Sequence, residues 1–121
     1  MTEHNPKQID VETLADAEDA ISSIGSDSGS IPIMAPKAVL KVIRFENVVL
    51  QDAIIIKQDM LSIGGEVAVP KKTFELHREK GDILVIGTVY QLRELVKKLS
   101  RHYSRLKHFA DELSKVLEGV N

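Results

Sequence analysis

The residues with the most chemistry to offer in this chain are lysines and one glycine–threonine junction. Lys57 lies within LQDAIIIKQDMLSIGG, Leu50 to Gly65, and Glu66 follows the glycine pair. At about 100° per residue, Leu50, Ala53, Ile54, Ile56, Met60, Leu61 and Ile63 share one side of a helix, and Lys57 projects near the middle of that side. An ammonium held in apolar surroundings has its pKa lowered or holds an anion. It does neither if its stem packs and its head reaches water at the edge. Glu66 is the available partner, and Lys37, Lys41 and Arg44 join it if the preceding strand runs beside the helix. Gly87–Thr88 ends the apolar run DILVIG and opens a helix, a junction whose free amides suit an anion. A cap made by Thr88 accounts for the same two residues with no ligand. Lys37, Lys41, Lys57, Glu66, Gly87 and Thr88 are the candidate ligand or anion site.

Other chemistries have less to stand on. The 4 histidines, His4, His77, His102 and His108, show no metal-ligand spacing, so no metal or cofactor is expected. Ser22, Ser23 and Ser104 have no neighbouring base and no nucleophile-elbow pattern. The chain has no cysteine, which removes disulfides, thiolate zinc sites and a cysteine nucleophile. A net charge of −2 and 4% aromatic residues give no footprint for nucleic acid. The locally basic run KKLSRHYSRLKH adjoins Asp111 and Glu112 and reads as a solvated face. The N-terminus has no apolar signal-peptide core, and runs such as ILVIG fall far short of a membrane span. A cytoplasmic protein with no catalytic residues of its own is the expectation.

These candidates must be positioned by a single domain, which 121 residues and 43% hydrophobic content allow. Residues 1–9 read as a frayed tail. A weak stripe of Val11, Leu14, Glu18 and Ile21, joined by Ala15 and Ile24, makes residues 10–24 an N-terminal helix capped by Asp10. GSDSGS, residues 25–30, is a linker, and 31–119 form the compact domain. The two prolines of IPIMAPK predict an ordered, non-helical lead-in. Val39, Ile43 and Phe45 alternate with Leu40 and Val42; apolar residues on both sides predict an interior strand. The helix from Leu50 ends at Gly64, which tolerates the left-handed position. Glu66–Val69 and Asp82–Gly87 are further strands, and Lys71–Gly81 is a short exposed strand or a hairpin arm. Two helices follow: the first has a Thr88–Gln91 capping box, and the second runs from Ser104 to Gly119. The fold class is α/β or α+β: a small sheet of three to four strands with helices packed on it. It contains a strand–helix–strand unit, which implies a parallel pair joined by a right-handed crossover. Ile55 points away from the main apolar arc of its helix and is the candidate interface residue.

From Ile24 onward the chain resembles a known family. The carrying residues are Ile24–Gly25 with Asp27 and Gly29, then IMAPK (Ile33–Lys37), IKQDML (Ile56–Leu61), and GGE (Gly64–Glu66) with Ala68–Val69. Gly87–Thr88 followed by Gln91, and the final-helix residues Leu106, Ala110, Asp111 and Leu113, continue the match. The similarity is to the extra N-terminal domain of bacterial and archaeal dihydropteroate synthases and related methanopterin-pathway proteins. It spans roughly Ile24 to Leu117 and departs from the usual pattern at Ser28, where a proline is common. In that family the region precedes a barrel that condenses a pterin diphosphate with p-aminobenzoate and carries the pterin and phosphate contacts. The resemblance therefore implies an accessory domain of pterin biosynthesis, folate or methanopterin. Such a domain acts on a dihydropteroate synthase barrel or by self-association. An anion- or pterin-binding module is the alternative.

Overall fold

Alternation along DILVIG sets the middle of the sheet. Ile83, Val85 and Gly87 are buried, while Leu84 and Ile86 are half-buried. In the computed structural model, which describes residues 3–76 and 78–121, this segment is β3, Lys80–Thr88. It lies between β1, Leu40–Val49, and β2, Glu66–Ala68, and is antiparallel to both. The helices are α1, Leu14–Ser23; α2, Ile31–Met34, which runs into a 3-10 turn at Ala35–Lys37; α3, Leu50–Ile63; α4, Val89–Leu99; and α5, Ser104–Glu118.

The fold is thus mixed α/β, with a strand–helix–strand unit and two C-terminal helices, as the sequence predicts. The parallel pair is corrected. β1 and β2 run in the same direction, but β3 lies between them and bonds to each. The interior position expected of β1 is corrected too: it is an edge strand, and its second apolar row is exposed, with Leu40 at 63% and Val42 at 57%. Two-sided apolar character arose here from an uncovered face rather than from two covered ones.

Helices α3, α4 and α5 cover the other face. Phe45, Val67, Ile83 and Val85 pack there against Ile56, Met60, Leu92, Leu95, Leu106, Phe109 and Leu113. The rings of Phe45 and Phe109 sit 4.1 Å apart and tie β1 to α5. A smaller core of Ala17, Ala35, Val39 and Val89, flanked by Leu14, Ile21 and Val120, docks α1. That helix starts later than the expected Asp10. Thr13 caps it, and Asp16 returns a bond to the Thr13 N–H, so Thr13 with its third-residue acid sets the start.

IPIMAPK is helical, not the extended lead-in expected. Pro32 and Pro36 each fall at the first or second position of their short helices, where no N–H is required. Residues 71–75 form turns, and β3 begins only at Lys80. His77 lies outside the described residues. The remaining punctuation follows the sequence. Gly64 ends α3 at φ 104°, Thr88 and Gln91 form the capping box of α4, and Gly119 ends α5. Gly65 is needed for close approach, since a Cβ there would lie 2.8 Å from the Ile86 carbonyl oxygen and 2.4 Å from Met60 Cε.

Candidate functional site

Lys57 and Glu66 meet. The Lys57 Nζ lies 2.8 Å from Glu66 Oε1 and donates to the Val67 carbonyl at 2.7 Å. The same Glu66 oxygen accepts the Val67 N–H at 2.8 Å. One ion pair therefore satisfies both backbone groups of Val67 on the outer edge of β2. Lys57 leaves the half-buried flank of α3, wraps around that edge, and does not stand free in the core. The Lys57 ammonium, with the Val67 N–H behind it, holds the Glu66 carboxyl below the usual carboxylate range.

The other candidates gather near the start of α4 but do not converge on one cavity. Lys41 stands across from Gly87 in the β1–β3 register, yet its Nζ reaches the Glu12 carbonyl at 3.4 Å. Lys37 places its ammonium 4.9 Å from the centre of the Tyr90 ring. At the Gly87–Thr88 junction the amides are largely taken up internally. The Thr88 N–H goes to Gln91 Oε1, the Gln91 N–H to Thr88 Oγ1, and the Val89 N–H to the Val39 carbonyl. A Cβ on Gly87 would meet Met60 Cε at 2.4 Å, so this glycine serves the contact between α3 and the sheet. Ile55 is half-buried and packs against the main core.

The most buried charged group among the described residues is one that sequence reasoning missed. Asp52, in the first turn of α3, is 5% exposed. Arg105 grips it with two bonds, Nε to Oδ2 at 2.7 Å and Nη2 to Oδ1 at 2.9 Å, and the Tyr103 hydroxyl donates to Oδ1. Burial pushes this carboxyl up, but the Arg105 and Tyr103 hydrogen bonds outweigh it and leave the pKa below the ordinary value. Burial and the Asp52 charge push the Tyr103 hydroxyl up. The partners lie 51 and 53 residues away, beyond any spacing signal. The clue available was an acid in the first helical turn, where the helix dipole favours it. The pair commits the carboxylate and the guanidinium to one another in a charge-assisted, bidentate grip.

On the open sheet face, Val42 pairs with Ile86, Leu40 with Thr88 and Arg44 with Leu84, while Ala68 of β2 pairs with Leu84. This leaves a mostly apolar face of Leu40, Val42, Leu84, Ile86 and Ala68. At its border Arg44 bonds Asp82 at 2.6 Å, and Asp82 also accepts the N–H of Asn47 at the β1 bulge, where φ is 55°. Among the described residues, no group of three His, Asp or Glu side chains is placed to hold a metal ion. No helix among them is long and apolar enough to cross a membrane.

The fold and its polar groups define a two-layer α/β domain whose polar contacts are mostly internal. A curated protein is similar to it: a bifunctional dihydropteroate synthase/dihydropteroate reductase of Helicobacter pylori, 29% identical over 102 residues. The match covers 84% of this chain but only 27% of that relative, so the chain spans about a quarter of the length of the protein it resembles. No family model matches. No solved structure matches.

Proposed function

We propose that this chain is an accessory, non-catalytic domain of dihydropteroate synthase-type pterin biosynthesis, folate or methanopterin, and that it works by binding protein. The observation that carries this reading is the similarity over 84% of the chain to a quarter-length region of a bifunctional synthase/reductase. Two features support it. The strongest polar groups, Asp52, Arg105, Lys57 and Glu66, are engaged with one another. The exposed sheet face around Leu40 and Val42 offers apolar surface of the kind that marks interaction sites.

Calorimetric titration of the chain into the dihydropteroate synthase barrel of the same organism tests it. A saturable complex that Leu40→Glu weakens is the expected result. No heat, together with synthase turnover unchanged by the added chain, overturns the reading. An anion- or pterin-binding module is the second reading, favoured by the exposed Lys37–Tyr90 pair beside Thr88. It requires amide shifts at Lys37, Lys41, Lys57 and Thr88 when phosphate or a pterin is added, and silence there removes it.

A further inference from the structure

The two outer edges of the sheet are finished differently. On β2 the Lys57–Glu66 pair satisfies Val67, a common way of blunting an edge. On β1, among the described residues, no strand pairs with the outer edge, and a trough runs beside it. The larger part, about 1120 Å³, lies between Ile43–Val49 of β1 and Ser104–Val116 of α5. A smaller part, about 270 Å³, shares Ile43 and Val116 and continues past Lys41 to Thr13 and Asn121. Phe45, Phe109 and Val116 give the trough an apolar floor. Lys80 and Lys115 line it with no carboxylate partner among the described residues, Lys41 reaches only the Glu12 carbonyl, and the acids beside them are Glu46 and Glu112, the latter 3.6 Å from His108.

The walls decide what fits. Helix α5 stands beside the edge, so another sheet carrying its own helix layer cannot approach β1 side by side. A bare extended segment can, adding a fourth strand by backbone pairing. The chain has such a segment. Residues 3–10 carry no helix or strand and hold Glu3 and Asp10 against Lys7, while Val11 and Glu12 are already engaged by the chain's own small core, Asp16 and Lys41. Within it Ile9 is 58% exposed between Gln8 and Asp10. Fully extended, these eight residues reach about 26 Å, against about 23 Å for the stretch of β1 that lines the larger part of the trough. Pro6 is tolerated because an added strand becomes the new edge. In one chain this arm leaves Ile9 in water.

We propose that the β1 edge and its trough receive the N-terminal arm of a second copy, the two copies exchanging arms about a two-fold axis. Reciprocal exchange buries Ile9 twice, brings acidic residues to lysines that lack a carboxylate partner, and closes the assembly at two subunits. The proposal needs no synthase partner, so it and the reading above fail separately.

Sedimentation equilibrium of the full chain across a hundredfold concentration range tests it. A concentration-dependent dimer is expected. Ile9→Asp, on an exposed arm where the fold is not at stake, should weaken that dimer by roughly tenfold or more. Removal of residues 1–9 should abolish it with an unchanged circular dichroism spectrum, whereas Leu40→Glu, outside the trough, should leave it intact. A monomer throughout, which includes an arm docked on its own chain, overturns the proposal. So does a dimer that survives loss of the arm or that Leu40→Glu dissolves.

Discussion

The β2 side and the β1 side of the sheet each carry an acid–base pair, and they use it for different ends. On the β2 side Lys57 and Glu66 turn outward to the strand and satisfy the backbone of Val67, so the pair closes an edge. On the β1 side Asp52, Tyr103 and Arg105 join the start of α3 to the start of α5, so the cluster fixes a wall and leaves the edge beside it open. The Asp52 carboxylate is buried, while Lys57 and Glu66 are in partial contact with water. Burial decides which of the two matters more for stability. A buried carboxylate has no solvent to fall back on, whereas a wet pair exchanges its bonds for water at little net cost.

The largest effect should therefore come from the β1 side. Asp52→Ala removes three hydrogen bonds, two of them charge-assisted on both partners, and should cost about 2–3 kcal/mol in a urea titration. A loss of only about half a kcal/mol would mean that the apolar seam of Leu106, Phe109 and Leu113 holds α5 unaided. The same cluster makes a pH prediction. The folded Asp52 carboxyl titrates below the unfolded one. Its stabilisation is therefore complete above the unfolded value of about 4 and is lost as the pH falls through the folded pKa. Asp52→Asn should flatten this acid limb and leave the slope between pH 6 and 8, as estimated from the same linkage, unchanged. A steep acid limb retained in Asp52→Asn would assign the acid sensitivity to Asp16, Glu66 or Asp82, whose carboxyls are also held low.

Gly65→Ala probes packing behind the closed edge. Its Cβ would press the Ile86 carbonyl, a backbone atom that cannot swing aside, and the cost should be about 1–3 kcal/mol. Gly87→Ala meets chiefly the flexible end of Met60 and should cost less, so comparing their thermal midpoints separates backbone from side-chain crowding.

Legibility followed distance along the chain. The Lys57–Glu66 pair was readable because nine residues separate its members and a helix end lies between them. Thr88 with Gln91, and Gly64, were readable because capping is local chemistry. The Asp52–Arg105 grip was not, since two helix starts are brought together only by the packing of α3, α4 and α5. The edge position of β1 failed for a different reason. Leu40 and Val42 look like core residues by type, and no local rule says whether a second layer covers them. IPIMAPK failed because proline forbids helix interiors but not helix starts, and a four-residue helix is nearly all start. Of the candidate site, the sequence supplied the residues but not their contacts: Lys57 found Glu66, while Lys37 and Lys41 went to Tyr90 and Glu12.

The smallest effect belongs to Lys57, and it tests most directly what the closed edge is for. Lys57→Met keeps an unbranched apolar stem reaching from α3 toward β2 and removes only the ammonium, so global stability should change by no more than about 1 kcal/mol. The local consequence should be larger than the global one. The Val67 carbonyl loses its donor, Glu66 loses the cation that orients it, and the Val67 N–H loses a fixed acceptor. Hydrogen exchange at the Val67 amide should then quicken while the amides of β3 stay protected, because β3 is paired on both sides. The freed edge should also raise the tendency of the chain to self-associate through β2 at high concentration. Equal exchange at Val67 in the two proteins would show that Glu66 alone closes the edge, and Glu66→Gln would then carry the effect. If instead Lys57→Met unfolded the domain, the pair would be a structural strut on a par with Asp52 and Arg105, and the contrast between the two sides of the sheet would disappear.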